Sequence, residues 1–212
     1  MSLTRFALGA ASCVAVVACG CLVAVAQYQQ LIINEIEYDQ PGVDNREWVE
    51  LRNVMDYEFF TEGTYLVFYH GDPSGTCQEY CRIDLRPLGL VPEGSYTIIG
   101  VNPCAYPLPQ LCAATDAIQN GPSDAIVLEQ HGLVLDSVEY ASDLVHSVCN
   151  FTRTNARDSD TVEGSIQRCG NAWVFAWVFA PASPCAPNQC AVSTVPDPRG
   201  GTWGAVKSLY KK

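Results

Sequence analysis

The sequence is poor in positive charge. Lysine and arginine together number 12 against 23 aspartates and glutamates, a formal net charge of −11 over 212 residues. Nucleic-acid binding draws most of its affinity from basic side chains on phosphates, so this balance excludes DNA or RNA as the expected partner, and it equally disfavours adsorption to anionic lipid. Catalytic signatures are also missing. There is no Gly-x-Ser-x-Gly elbow, no His-Glu-x-x-His helix, no dinucleotide-binding glycine fingerprint and no phosphate-cradling loop. His70, His131 and His146, the only histidines, lie far apart, and none has a serine, cysteine or acid nearby in an arrangement that singles out a triad. Cys-x-x-Cys spacing, the usual mark of a structural zinc site, does not occur. The catalytic reading left open is a hydrolase whose site is assembled from dispersed residues.

Both ends of the chain differ from its middle. Residues 1–26 carry a single charge, Arg5, then an apolar run from Phe6, and finish in Ala24-Val25-Ala26, the small-residue pattern accepted by signal peptidase. Cleavage is expected before Gln27. An uncleaved anchor is the rival reading, since roughly 20 apolar residues can span a bilayer. A weaker rival is a lipoprotein box ending at Cys19. At the other end Pro196 to Gly201 read as a linker, so residues 193–212 are expected to be a linker and a short basic amphipathic tail. Trp203, Val206 and Tyr210 fall there at helical spacing, as in a frayed end or an attachment tag.

The cysteines agree with export. Of 11, Cys13, Cys19 and Cys21 lie in the leader and eight lie beyond it: Cys77, Cys81, Cys104, Cys112, Cys149, Cys169, Cys185 and Cys190. An even set in an exported chain is expected to form disulfides. Closing short loops costs least entropy, which favours sequence neighbours: Cys77 with Cys81, Cys104 with Cys112, Cys149 with Cys169, and Cys185 with Cys190.

Residues 27–192 read as one all-β domain. From Leu31 to Tyr38 the residues alternate, Ile32, Asn34, Ile36 and Tyr38 on one side and Ile33, Glu35 and Glu37 on the other, the two-residue period of a strand. Arg46 to Asn53 repeats the alternation after a Pro-Gly turn. Thr64 to His70 and Ser95 to Val101 are β-branched and aromatic, as strands require. Gly71 to Gly94 between them is rich in turn residues and is expected to be a long loop or short edge strand clamped by cysteines, while Asn102 to Cys112, with three prolines, is a stapled excursion. Asp124 to Glu129 and Leu133 to Tyr140 flank His131-Gly132 as a hairpin. Ser165 to Arg168 and Ala172 to Ala180 close the set. The second contains Trp173-Val174-Phe175-Ala176 repeated at once as Trp177-Val178-Phe179-Ala180, which on a strand puts Trp173, Phe175, Trp177 and Phe179 on one face.

Several of these segments, in order, resemble the lamin tail domain. Ile33-Asn34-Glu35-Ile36 followed by Glu47-Trp48-Val49-Glu50-Leu51-Arg52-Asn53 is similar to the family's opening pair. Gln119 to Leu128 with Val134-Leu135-Asp136-Ser137-Val138-Glu139-Tyr140 is similar to its later hairpin in the bacterial branch, and Ser165-Ile166-Gln167-Arg168 with Pro184 to Asn188 to its close. The likeness covers about Ile32 to Asn188. It implies an immunoglobulin-like antiparallel β-sandwich that binds or tethers without catalysis, in nuclear lamins as a filament tail and in bacteria as part of exported or envelope proteins. The eight cysteines, their long loops and the Trp-Val-Phe-Ala duplication depart from the family.

The functional expectation is therefore a secreted or cell-envelope binding module whose partner is a protein or glycan outside the cell. Membrane insertion is not expected once the leader is removed. The alternative is a structural component that self-associates into an envelope layer or filament. The aromatic face of Trp173, Phe175, Trp177 and Phe179 is the candidate contact surface. No cofactor is required. Calcium is the one metal considered: Glu37, Asp39, Asp44 and Glu47, beside Glu35, crowd the first turn, and Asp158, Asp160 and Glu163 another, but neither follows the EF-hand loop. Solvation of an acidic surface, with Glu35 and Glu50 in structural hydrogen bonds, explains the same residues. Asn150-Phe151-Thr152 is a glycosylation sequon that would mark an exposed loop beside Cys149.

Overall fold

Most of the strands foreseen in the sequence form, and they stack as a sandwich. A computed structural model describes residues 30–190 apart from 44, 73, 103–108, 113–117, 121–122, 141–148, 155 and 172–173. The leader, Asp44, Cys104, His146, Trp173 and the tail therefore lie outside the described residues. Strands β1 (Leu31–Glu37), β2 (Glu47–Asn53), β3 (Phe59–Phe60), β4 (Thr64–Gly71), β5 (Cys77–Asp84), β6 (Leu90–Val91), β7 (Tyr96–Asn102), β8 (Leu111–Cys112), β9 (Asp124–Gln130), β10 (Leu133–Tyr140), β11 (Ser165–Gly170) and β12 (Phe175–Ala180) follow one another, with a single 3-10 turn at Arg86–Leu88. One sheet runs β12-β11-β1-β2-β7-β8 and the facing one β10-β9-β4-β5, while β3 and β6 pair apart from both. All pairings are antiparallel except β7 with β8.

The core lies between the sheets. Leu31, Ile33, Ile36, Val49, Leu51, Ile99 and Ile166 from the six-stranded sheet meet Leu66, Phe68, Ile126, Leu128 and Val138 from the other, all buried. Removing such aliphatic side chains from water stabilises a fold by about 1.5–3 kcal/mol each.

Strand β1 corrects the simple alternation. Ile33 pairs with Leu51 but Glu35 pairs with Glu50, so Asn34 is an extra residue, a β-bulge. A bulge reverses the parity of everything after it. Leu31 and Ile33 face the core before it, and Ile36 and Tyr38 face the core after it, although strict alternation sets Ile33 opposite to Ile36. Glu35 and Glu37 turn outward, yet the whole of β1 is buried, because residues 181–190 lie across the outer face.

The bulge is secured from the opposite sheet. Asp136 of β10 accepts the backbone N–H of Ile33 at 2.8 Å and both guanidinium arms of Arg168 of β11 at 2.9 and 3.0 Å. Arg168 in turn lies 3.6 Å from the centroid of the Phe175 ring. Asp136 and Arg168 are each 5% exposed, so the pair spans the two sheets inside the protein.

Of the two readings of Gly71 to Gly94, the edge strand holds: β5, eight residues long, pairs with β4 alone at the end of its sheet and packs Tyr80 on Phe68. The cysteine pairing changes. Three of the four expected pairings do not form: Cys77 pairs with Cys149 and Cys169 with Cys190, leaving Cys81 and Cys185 as free thiols. Cys112 is bridged, and its expected partner Cys104 lies outside the described residues. Cys77 and Cys81 share one extended strand, which separates their α carbons by roughly 13 Å, whereas a disulfide tolerates at most about 7 Å. Strand geometry outweighs loop entropy.

Arg168→Leu strips the counter-ion from a buried carboxylate, so urea unfolding should show a loss of about 3–5 kcal/mol. Replacing both members, Asp136→Leu with Arg168→Leu, should recover part of that loss.

Candidate functional site

The segment over the outer face is held by two buried glutamates. Strand alternation after the bulge sets Glu35 and Glu50 side by side on that face, and both are fully buried. Glu35 accepts from Ser165 Oγ at 2.5 Å, Gln167 Nε2 at 3.2 Å, Ser183 N at 2.8 Å and Ser183 Oγ at 2.9 Å. Glu50 accepts from Asn34 Nδ2 at 2.8 Å and Cys185 N at 2.6 Å. Asn188 extends the stitching by donating to the carbonyls of Asn34 at 3.0 Å and Arg168 at 2.7 Å, and Gln189 N donates to Gln167 Oε1 at 2.6 Å. The Cys169–Cys190 bridge then ties the end of this strap to β11. Burial raises the pKa of both carboxyls; for Glu50, with fewer donors and Glu35 adjacent, it reaches about 7.

The acidic residues of the first turn are built into the fold. Glu37 and Glu47 are 4% and 2% exposed, and Glu37 accepts from Gln40 Nε2 at 2.5 Å. Asp158 of the second acidic loop accepts the backbone N–H of Tyr38 at 2.9 Å, which docks that loop on the end of β1, and its burial lifts the carboxyl pKa to about 7. Glu163 pairs with Arg46 at the surface. Among the described residues no three acidic, histidine or cysteine side chains converge to hold a metal ion. Asp39 is half-buried, and Asp44 lies outside the described residues.

The aromatic strand is divided between core and surface. Trp177 is 9% exposed and, with Phe175 packed beside it, belongs to the core, so neither is the open contact face that the duplication suggested. Phe179 is 37% exposed and Val174 75%. Strand β12 is itself the outer strand of its sheet, uncharged along its length. The other outer strands are protected. Strand β8 has two residues, β5 carries Glu79 and Arg82 in an ion pair, and β10 is covered at one end where Glu139 bonds Thr152 and Thr154. Proteins ordinarily blunt an exposed edge with charge or cover, and β12 has neither among the described residues.

Of the two described histidines, His70 is the one beside a carboxylate. Its Nδ1 lies 2.8 Å from Oδ1 of the buried Asp124, directly across β4 and β9. Such a carboxylate orients an imidazole, but no serine, threonine or cysteine side chain bonds His70 among the described residues. His131 sits at the β9–β10 turn with φ of 50°, and its ring covers Gly63, where a β carbon would come within 2.4 Å. In the sequon, Asn150 is exposed while the Phe151 ring packs 5.5 Å from that of Tyr69.

Sequence reasoning missed the Asp136–Arg168 pair and the strap, for neither has a local pattern; the only signal was that both residues fall inside quoted motif segments. No family model and no curated protein matches this chain.

A carboxyl that holds its proton more tightly in the fold stabilises it at low pH and loses that contribution as pH rises through the folded value. From its unfolded value near 4.5 up to about 7, therefore, Glu50 should cost the native protein stability, with no further change above. Thermal melts across that range should show wild type falling relative to Glu50→Gln, and the difference levelling off above it. Iodoacetamide applied without reductant should label Cys185, the exposed thiol, ahead of the half-buried Cys81, and leave Cys77, Cys149, Cys169 and Cys190 unmodified, as read by peptide mapping.

Proposed function

We propose that this protein is an exported binding or tethering module built on a lamin-tail-type sandwich. The observation that carries the reading is a convergence: Asn34, Glu35, Glu50, Asp136, Ser165, Gln167, Arg168 and Asn188, drawn from separate segments that resemble the family, meet in the hydrogen-bonded framework around β1, the strap and the buried ion pair. Segments chosen only for their wording would have no reason to interlock. Disulfide formation fits an oxidising compartment outside the cytosol, as the leader implies. The acidic surface favours neutral or basic protein and glycan partners over polyanions.

The contact surface in this reading is the β12 edge with Phe179 and Val174. An extended segment of a protein partner would add as a seventh strand, gaining main-chain hydrogen bonds along the edge. The same edge supports the second reading, in which copies of the chain pair through β12 into a layer or filament. Ala176→Lys with Phe179→Lys charges the edge without touching the core, and it should abolish capture of the partner in crosslinking from the native culture. Capture that survives the double change removes β12 from the reading. Sedimentation of the wild type separates the two: a strict monomer at all concentrations rules out self-assembly.

A further inference from the structure

Among the described residues, Arg52 is a cation without an anion. Arg46, Arg82, Arg86 and Arg168 each meet a carboxylate, whereas no carboxylate among the described residues lies within ion-pair distance of Arg52, and its Nε is buried without an acceptor there. Strand alternation puts it on the outer face of β2, opposite Tyr96 of β7, and its guanidinium carbon lies 5.3 Å from the centre of that ring. Stacking of this kind fixes the plane of a guanidinium and leaves its edge for a ligand.

Three clefts adjoin at this pair. One of about 410 Å³ opens from Arg52 toward Met55, Gly94 and Asn171. A second, of about 210 Å³, lies between Arg52, Tyr96 and the strap at Pro187 and Asn188. A third, of about 340 Å³, continues from Tyr96 over Leu88, Leu90 and Pro92. Its rim is apolar and open: Leu90 is 54% exposed, and Phe60, its cross-strand partner, 55%.

The charge pattern decides what fits. One guanidinium in a protein of net charge −11 offers a place for a single anionic group, while the surrounding acidity repels a polyanion. The planar fork of arginine matches a carboxylate with two parallel hydrogen bonds. Beside it the groove offers apolar surface and room for an extended chain. We infer that the Arg52–Tyr96 groove binds the C-terminal carboxylate of an extended peptide, its last apolar side chains lying against Leu88 and Leu90. This deepens the binding-module reading, on which it rests, by giving it a ligand class at a place separate from β12.

The test uses acetyl-Leu-Val-Leu as its free acid and as its amide, titrated into the oxidised full chain by NMR, with galacturonic acid as the other source of a carboxylate. The acid should bind, with shifts confined to residues around Arg52, Tyr96 and Leu90. Amidation should weaken binding about tenfold or more, the loss expected for a charge-assisted hydrogen bond. Arg52→Gln should weaken the acid to the level of the amide, and Arg52→Lys should fall between. Galacturonic acid should not compete. Equal binding of acid and amide, no binding at millimolar peptide, an unchanged Arg52→Gln variant, or displacement by galacturonic acid would each overturn the inference. The amide comparison needs no variant, so it stands even where Arg52→Gln fails to fold. A partner captured through β12 while the peptide acid does not bind would sink this groove and leave the binding-module reading in place.

Discussion

The ion pair between Asp136 and Arg168 fixes the geometry on which the rest depends. It joins the two sheets through the interior, and by accepting the N–H of Ile33 it also satisfies the backbone at the bulge of β1. A buried ion pair adds little net stability over apolar residues of the same size, because desolvation offsets the attraction. What this one does is define register. With the bulge in place, Ile36 and Tyr38 point inward and Glu35 outward; without it, a charged side chain would enter the core.

The outward turn of Glu35 creates the second constraint. A sheet with one face on the core ordinarily leaves the other to water, but here two carboxylates and an amide row are covered by the strap. Buried acids are tolerated when their acceptors are filled, and Ser183, Cys185, Asn34 and Gln167 fill them. The strap thus spends its polar groups on the fold, and the open surface among the described residues lies at its margins: the β12 edge on one side and the Arg52–Tyr96 groove on the other.

Much of the sandwich was legible in the sequence. Period-two alternation located β1 and β2, because one buried face per strand leaves its mark in every second residue; β-branched and aromatic content located β4 and β7, and the runs flanking His131-Gly132 located β9 and β10. The bulge at Asn34 was not legible, since a single inserted residue looks like continued alternation until the partner strand is seen. Strand β5 was legible only as one of two readings, loop or edge strand, because its flanks carry turn residues and its pairing comes from β4. The aromatic repeat was read with the right alternation and the wrong exposure. Trp177 and Phe175 face a guanidinium supplied by the neighbouring strand, and nothing in Trp-Val-Phe-Ala records that neighbour.

The sequence by itself determined an all-β chain of acidic surface with enough cysteine for bridges, since these follow from composition and local periodicity, which each residue carries wherever it lies. The tertiary structure alone decided which cysteines meet, which of the many carboxylates are buried and which arginine stacks on a ring rather than meeting a carboxylate among the described residues. Those outcomes depend on distances between residues far apart in the chain, such as the 148 positions from Glu35 to Ser183. Sheet stacking sets such distances, and no local pattern encodes them.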